Sequence, residues 1–475
     1  MPAQVIPMVR VSEIACQSDW REHYLEFLNA RLDRMEEGCR MDSLRDITGA
    51  ILANRSEILG ELALGFVRKR FGHLLEQELF ACPQCGKQLR SRVRHPRQLE
   101  TLIGSFPLER PYFYCTACEH GFYPLDEALG LASSAKQYDI QALEAWLGSE
   151  MPFETASEAY QRCTGNPMST HHLHDCANRI GESLGVLDVC PAKLEVEARI
   201  ARLALGKHRR PVMMMGIDGA NAPTRAEPST RKAQRGKGDY KEVKGFRIYL
   251  IDNKRIIHLI SWHQVATDQD LARAMQTIKD AGLVPEDQVR LCVVGDGAPW
   301  IWNRVHEIFP SAKEVLDFYH CAEYLHAVAD TQYGKGTRKA QEWVESTFVR
   351  LFHNGKRAIL SGLKRMTPVS AEAEKQISTT IQYLSKHRKR LDYGTAKRGG
   401  YHIGSGAIES ANKFIAHVRL KRSGAWWYPS KANNILKLRC ARANGTFDRV
   451  VELYQKRDVA RFAVGNKPSA ENRDD

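Results

Sequence analysis

Apolar residues recur along this chain in more than one rhythm. Between residues 45 and 80 they fall at helical intervals, with Ile47, Ile51, Leu52, Ile58, Leu59, Leu62 and Leu64 set among charges. That spacing predicts an amphipathic helix, and residues 1–79 read as mostly helical. Residues 137–190 predict three more helices, over 139–147, over 153–163 and from Ser169 toward 184. Thr164-Gly165-Asn166-Pro167 breaks the second, and Ser169 is placed to cap the third. From about residue 207 the rhythm shifts to short continuous apolar runs. Those at 211–217, 246–251, 255–262, 291–294 and 314–316 predict strands. Helices are expected over 268–278, from Pro299 and from Ala322. Helical spacing alone then returns at 341–351 and 371–384, which predicts an all-helical insertion over about 336–399.

Two of the apolar runs end in the same way. PVMMMGIDGA (211–220) leads into Asp218-Gly219, and RLCVVGDGAPWIWN (290–303) into Gly295-Asp296-Gly297. Turns favour Asp and Gly, so each acid can be read as a turn residue. An acid at the carboxyl end of a parallel strand is also where open α/β sheets hold their ligands. A third acid, Glu409, lies in GSGAIESANK, where Ile408, Phe414, Ile415 and Val418 can share a helical face. Two strand-end acids and one helix acid suit hard divalent cations, which prefer carboxylate oxygens.

The strings IDGA, GDGAPWIWN, DFYH (317–320) and GSGAIESANK, in that order, resemble the DDE transposases of bacterial insertion sequences, most closely the Kra-type group. The resemblance covers roughly residues 80–450. It implies a ribonuclease H-like fold for residues 207–430, and the strand-strand-strand-helix-strand-helix-strand-helix order above is the order of that fold. It implies that Asp218, Asp296 and Glu409 are the acidic triad, holding Mg²⁺ or Mn²⁺. The reaction implied is hydrolysis at the ends of a mobile element, then attack of the freed 3′ hydroxyl on target DNA. The Asp317-x-x-His320 element resembles one shared with Mutator-like transposases; these two residues either orient a strand or water, or simply pack at a strand end. Terminal inverted repeats and target DNA are the implied partners, and self-association on DNA is expected. Two rival readings are a nuclease or resolvase that does not join strands, and a non-catalytic DNA binder.

Charge agrees with a polyanionic partner. The chain of 475 residues carries a net charge of +13, and residues 386–444 alone hold fourteen Lys/Arg against Asp392 and Glu409. A cationic stretch around the third acid reads as a DNA channel. Arg419, Lys421 and Arg422 are candidate phosphate contacts. Trp426 and Trp427 beside them either stack on bases or pack together. Residues 224–242 are basic and aperiodic, a loop over DNA or a disordered segment. In residues 137–190, a helix-turn-helix domain would present Thr170, His171, His172 and His174 to a major groove, while a plain helical bundle fits the same pattern.

Twelve cysteines are scattered except for Cys82-x-x-Cys85 and, after 29 intervening residues, Cys115-x-x-Cys118. Two such knuckles offer four thiolates for a structural Zn²⁺, with strands filling the loop between them as a zinc ribbon over 80–127. A redox pair is the alternative, but no thioredoxin-like βαβ pattern surrounds it. Arg90, Arg92, Arg94 and Arg97 in the loop would suit phosphate. There is no signal-peptide pattern, and no apolar run is long enough to span a membrane. The expected location is therefore the cytoplasm, on the nucleoid when DNA is bound. Residues 431–475 read as a C-terminal helix and a frayed tail. The architecture expected is a helical segment, a zinc ribbon and a helix-turn-helix, then an α/β ribonuclease H-like domain with its helical insertion.

Overall fold

The computed structural model of the protein describes residues 20–91, 93–227, 238–253 and 255–465. The chain divides into two compact units, Met1–Glu144 with Glu154–Thr170 and Val451–Asp475, and Ala145–Phe153 with His171–Val450.

The first unit opens with two helices, Trp20–Gly38 and Leu44–Leu75. Ser43 caps the second, its side chain accepting from the Asp46 amide. Strands β1 (Leu79–Ala81) and β2 (Gln88–Arg90) form an antiparallel hairpin. Strands β3 (Val93–Thr101), β4 (Gly104–Cys115) and β5 (His120–Phe122) form an antiparallel sheet in that order. Alternation along β4 turns Phe106 and Leu108 inward, where with Leu99 they meet Ala63, Leu64, Val67 and Phe71 of the long helix. The arginines proposed for phosphate are engaged within the unit. Arg97 binds Asp126 at 2.9 Å and the Ser134 carbonyl at 2.9 Å, Arg94 binds the Leu75 carbonyl, and Arg90 pairs with Glu78. Arg92 lies outside the described residues.

The second unit is built on a five-stranded mixed sheet, β6 (Val212–Thr224), β7 (Asp239–Asp252), β8 (Arg255–Val265), β9 (Arg290–Gly295) and β10 (Lys313–Leu316), in the lateral order β10-β9-β6-β7-β8. The β6–β7 and β7–β8 pairs are antiparallel, and the β6–β9 and β9–β10 pairs are parallel. Strand β6 is central. Met213, Met214 and Met215 are all fully buried, because a strand covered on both faces reads as a continuous apolar run. Helices Asp268–Asp280, Pro299–Ile308 and Phe318–Tyr333 follow β8, β9 and β10. The expected insertion is entirely helical, with helices Arg338–Phe352, Lys356–Arg365, Ala371–Lys386 and Tyr393–Arg398.

Two local expectations fail. The aperiodic stretch 224–242 is partly strand, since β6 runs to Thr224 and β7 starts at Asp239, with those two residues paired. There the two strands keep their ladder with mostly polar side chains, such as Lys241 and Glu242, so no apolar alternation marks them; residues 228–237 lie outside the described region. The Glu409 segment is also not one uniform helix. It runs Gly406–Ala411 as α-helix, Asn412–His417 as π-helix and Val418–Leu420 as α-helix. The π turn resets the phase, so Ile408 and Ile415 are buried while Phe414 and Val418 face outward. The tail expected over 466–475 lies outside the described residues. No helix among the described residues is long and apolar enough to cross a membrane.

Candidate active site

The second unit brings the three acids to one end of its sheet. In the parallel β6–β9 pair Ile217 stands opposite Gly295, so the next residues, Asp218 and Asp296, emerge side by side from neighbouring strands. The Glu409 helix lies directly over this end. A Cβ at Gly216 would be 3.0 Å from Cβ of Ile408, so a side chain there would have to push Ile408 aside. Asp218 accepts from the Gly219 amide at 2.8 Å and from Nδ2 of Asn412 at 2.7 Å. Asp296 accepts from the Ala298 amide at 2.8 Å, and its carbonyl accepts from the Trp302 indole. Burial pushes the Asp218 carboxyl up to about 6, and the charges of Asp296 and Glu409 push the same way against the Gly219 amide and His320. A half-buried acid short of positive charge, flanked by two more carboxylates, is a donor set that fits a hard divalent cation such as Mg²⁺ or Mn²⁺.

Asp317 has a different place from the triad. It is fully buried and caps the helix Phe318–Tyr333 by accepting from the Tyr319 and His320 amides. Its second oxygen accepts from the Ser405 amide at 2.6 Å and from the Ser405 hydroxyl. Ser405 Oγ also lies against Glu409 Oε1. Asp317 therefore pins the loop that delivers Glu409. His320 is partly exposed, 3.5 Å from Glu323, and lies within electrostatic reach of Asp218.

Residues not singled out in the sequence complete the surroundings. Asn412 holds Asp218, and the ring of Tyr383, from the helical insertion, lies over Gly297 next to Asp296. The three-residue step from Glu409 to Asn412 was a usable signal, because it puts both on one helical flank. Nothing local marks Tyr383, which arrives by tertiary packing.

In the first unit the four cysteines converge. Their sulfurs all lie within 4.8 Å of one another, the only such His/Cys/Asp/Glu group among the described residues. Cys82–Cys118 is 3.9 Å and Cys85–Cys115 is 3.7 Å. Four sulfurs at about 2.3 Å from a tetrahedral Zn²⁺ would be about 3.8 Å apart, whereas a disulfide would be about 2 Å. The chain turns back after Cys85 at Gly86, with φ +73°. Burial opposes ionisation of Cys82, but the Gln84 and Cys85 amides and neighbouring thiols bring it down to about 7. Cys118 is pushed up to about 12, first by its hydrogen bond with Cys85 and then by burial. Clustered thiols oppose one another's ionisation, a conflict that a divalent cation removes.

Comparison with known proteins bears on one part of this arrangement. Residues 266–457 match UPF0236, described as an uncharacterised protein family. That span includes Asp296, Asp317, His320 and Glu409 but not Asp218 or the cysteines. The chain is similar to a protein of Streptococcus gallolyticus described as "UPF0236 protein in vanSb 3'region", 24% identical over 366 residues that cover 74% of each chain. A solved Drosophila P element transposase strand transfer complex overlaps 71% of this chain and 87% of its own, at 14% identity and a TM-score of 0.24. A score that low does not establish a common fold.

The residues proposed to touch DNA separate sharply. Lys421, Arg422 and Trp426 are exposed, and Trp426 meets Tyr240 edge-on with ring centroids 5.9 Å apart. Arg419 and Trp427 do not face solvent, which corrects both as DNA contacts. Arg419 is 3% exposed, donates to the Gly148 carbonyl and lies between the rings of Phe153 and Trp427. Trp427 is 8% exposed, and its indole donates to the Leu420 carbonyl. Trp427 thus packs with Arg419, not with Trp426. Helices Phe153–Thr164 and Thr170–Glu182 exist as expected, but Thr170, His171, His172 and His174 do not make one exposed face. His171 is exposed, Thr170, His172 and His174 are half-buried, and His174 packs edge-on against Phe153. The outward stripe is His171, Asp175, Arg179 and Glu182, with two acids in it.

Proposed function

We propose that this chain is a DDE transposase, a metal-dependent enzyme that cleaves DNA at the ends of a mobile element and joins them to a target. The observation that carries this reading is the register that sets Asp218 and Asp296 side by side at adjacent parallel strand ends, beneath the helix bearing Glu409. The lateral strand order and the antiparallel second strand support a ribonuclease H-like domain. Divalent cations held by these acids would activate the attacking oxygen and stabilise the leaving one. The chain's own contribution is to hold three carboxylates at fixed spacing, with Asp218 oriented by Gly219 and Asn412 and Glu409 delivered by the Asp317–Ser405 anchor.

DNA is the partner this reading requires, and Lys421, Arg422 and Trp426 are its proposed contacts. Of the groove-facing candidates, only His171 is openly available. The four cysteines would hold a structural Zn²⁺ within a zinc ribbon. The test is incubation of labelled element ends with target DNA and Mg²⁺. New junctions support transposition, cleavage without junctions indicates a nuclease, and binding without cleavage indicates a DNA-binding protein.

A further inference from the structure

Behind Asp218 lies a polar pair that the cation site does not itself require. Asp218 on β6 is paired with Gly245 on β7, and Gly245 with His263 on β8. Residues opposite one another in a sheet project to the same face. Gly245 has no side chain because the imidazole occupies its place: a Cβ there would be 2.4 Å from Cδ2 and 2.7 Å from Nε2 of His263. The ring thus lies over β7, toward the strand of Asp218. It is completely buried, and neither nitrogen has a hydrogen-bond partner among the described residues.

Asn412 is the side chain within hydrogen-bonding reach of this imidazole, and Arg247 and His258 act on it electrostatically. Asn412 is itself buried, and its Oδ1 has no partner, while its Nδ2 donates to Asp218 at 2.7 Å. Burial pulls the imidazole down to about 3, so the ring is neutral and carries one N–H. Neighbouring buried polar groups without partners are costly unless they bond to each other. An asparagine amide accepts at one end and donates at the other, so it can join the two.

We propose that His263 and Asn412 form a hydrogen-bonded relay that holds the Asp218 carboxylate in its cation-binding orientation. His263 is a positioning residue that acts through Asn412, and the inference rests on reading Asp218 as a cation ligand. The imidazole N–H, donated to Oδ1, fixes which end of the amide faces Asp218. A flipped amide would set oxygen against the carboxylate and repel it. The π-helical segment begins at Asn412, so the element that carries Glu409 also carries the group that orients Asp218.

The test is Mn²⁺ titration of the full-length, zinc-loaded protein, read by the electron paramagnetic resonance signal of free Mn²⁺. N412A and H263F should each weaken Mn²⁺ binding about 10–100-fold, the usual loss when a group supporting a metal ligand is removed. H263Q, which keeps an N–H donor, should recover part of that loss. The N412A/H263F double variant should bind no more weakly than N412A alone. H263M replaces H263F if the larger ring prevents folding, as judged by circular dichroism. Wild-type Mn²⁺ affinity in N412A or in the apolar His263 variant, or additive losses in the double variant, overturns the relay. Mn²⁺ binding unchanged by D218N overturns the reading of the acid itself, and the relay with it.

Discussion

The two clusters suited to metal are built on opposite principles. The cysteines come from two knuckles within 37 residues, and their sulfurs are gathered within 4.8 Å. The carboxylates come from positions 218, 296 and 409 and are not drawn together to that degree. Four thiols that use every position on a tetrahedral ion make a closed, structural site. Three mutually repelling acids at the open end of a sheet leave positions for substrate. A metal in the first site would staple the small local core of Cys82, Leu89, Phe113 and Cys115. The second is an electrostatic conflict that the rest of its unit is folded to maintain.

The comparison is broken most directly by neutralising one cluster and then the other. D218N, D296N and E409Q should each lower cleavage by about 10³-fold or more, because each removes charge that holds the cations. DNA binding, measured by titration, should persist. Normal cleavage by E409Q would remove the third acid from the site. In the other cluster, C82S/C115S should lose about one zinc per chain, the content expected of a four-thiolate site. Residues 79–122 should then become sensitive to limited proteolysis while helix and sheet signals of the second unit remain. Zinc retained by this variant would exclude the four-cysteine assignment.

A subtler change separates ligands from scaffold. G216V drives a side chain into Ile408 and displaces the Glu409 helix without touching an acid. Misplacement near 1 Å is worth about 10²-fold in rate, so cleavage should fall by roughly that factor while zinc content stays the same.

The carboxylate cluster should add its own pH dependence. Asp218 is raised from 3.8 to about 6 in the folded chain, so between those values the folded state holds a proton that the unfolded state has released. Relative to D218N, stability without added metal should therefore fall as pH rises through that window, by at most about 3 kcal/mol at roughly 1.4 kcal/mol per unit, while His263 and His387, which burial pulls down to about 3 and about 4, give both proteins a common slope of the opposite sign. Mn²⁺ affinity should rise over the same interval as the competing proton leaves. Thermal melts of wild type and D218N from pH 4 to 7 check this; identical pH profiles for the two proteins would remove Asp218 as the source.

The smallest effects lie at the DNA face. K421A/R422A should reduce the salt slope of DNA binding by up to about two units, one per phosphate contact. R419A should leave that slope unchanged and lower the melting temperature instead, since its guanidinium is spent on the Gly148 carbonyl and two aromatic rings. Equal slopes for the two variants would abolish the distinction between exposed and buried cations.

Much of this was legible in one dimension because its physics is local. Knuckle spacing announces a cysteine cluster, a central strand covered on both faces must be apolar, and an acid after such a run must emerge at its end. Helical spacing likewise located the insertion. Tertiary structure alone decided which cations stay in water, and it sent Arg419 inside and Lys421 outside from the same basic stretch. It also decided that a π turn follows Glu409, that glycines at 216 and 245 make room for Ile408 and His263, and that Asn412 reaches Asp218. These outcomes depend on what each side chain meets across the fold, and neighbours from 18 (Gly245 and His263) to 271 (Gly148 and Arg419) residues apart leave no periodic trace in the sequence.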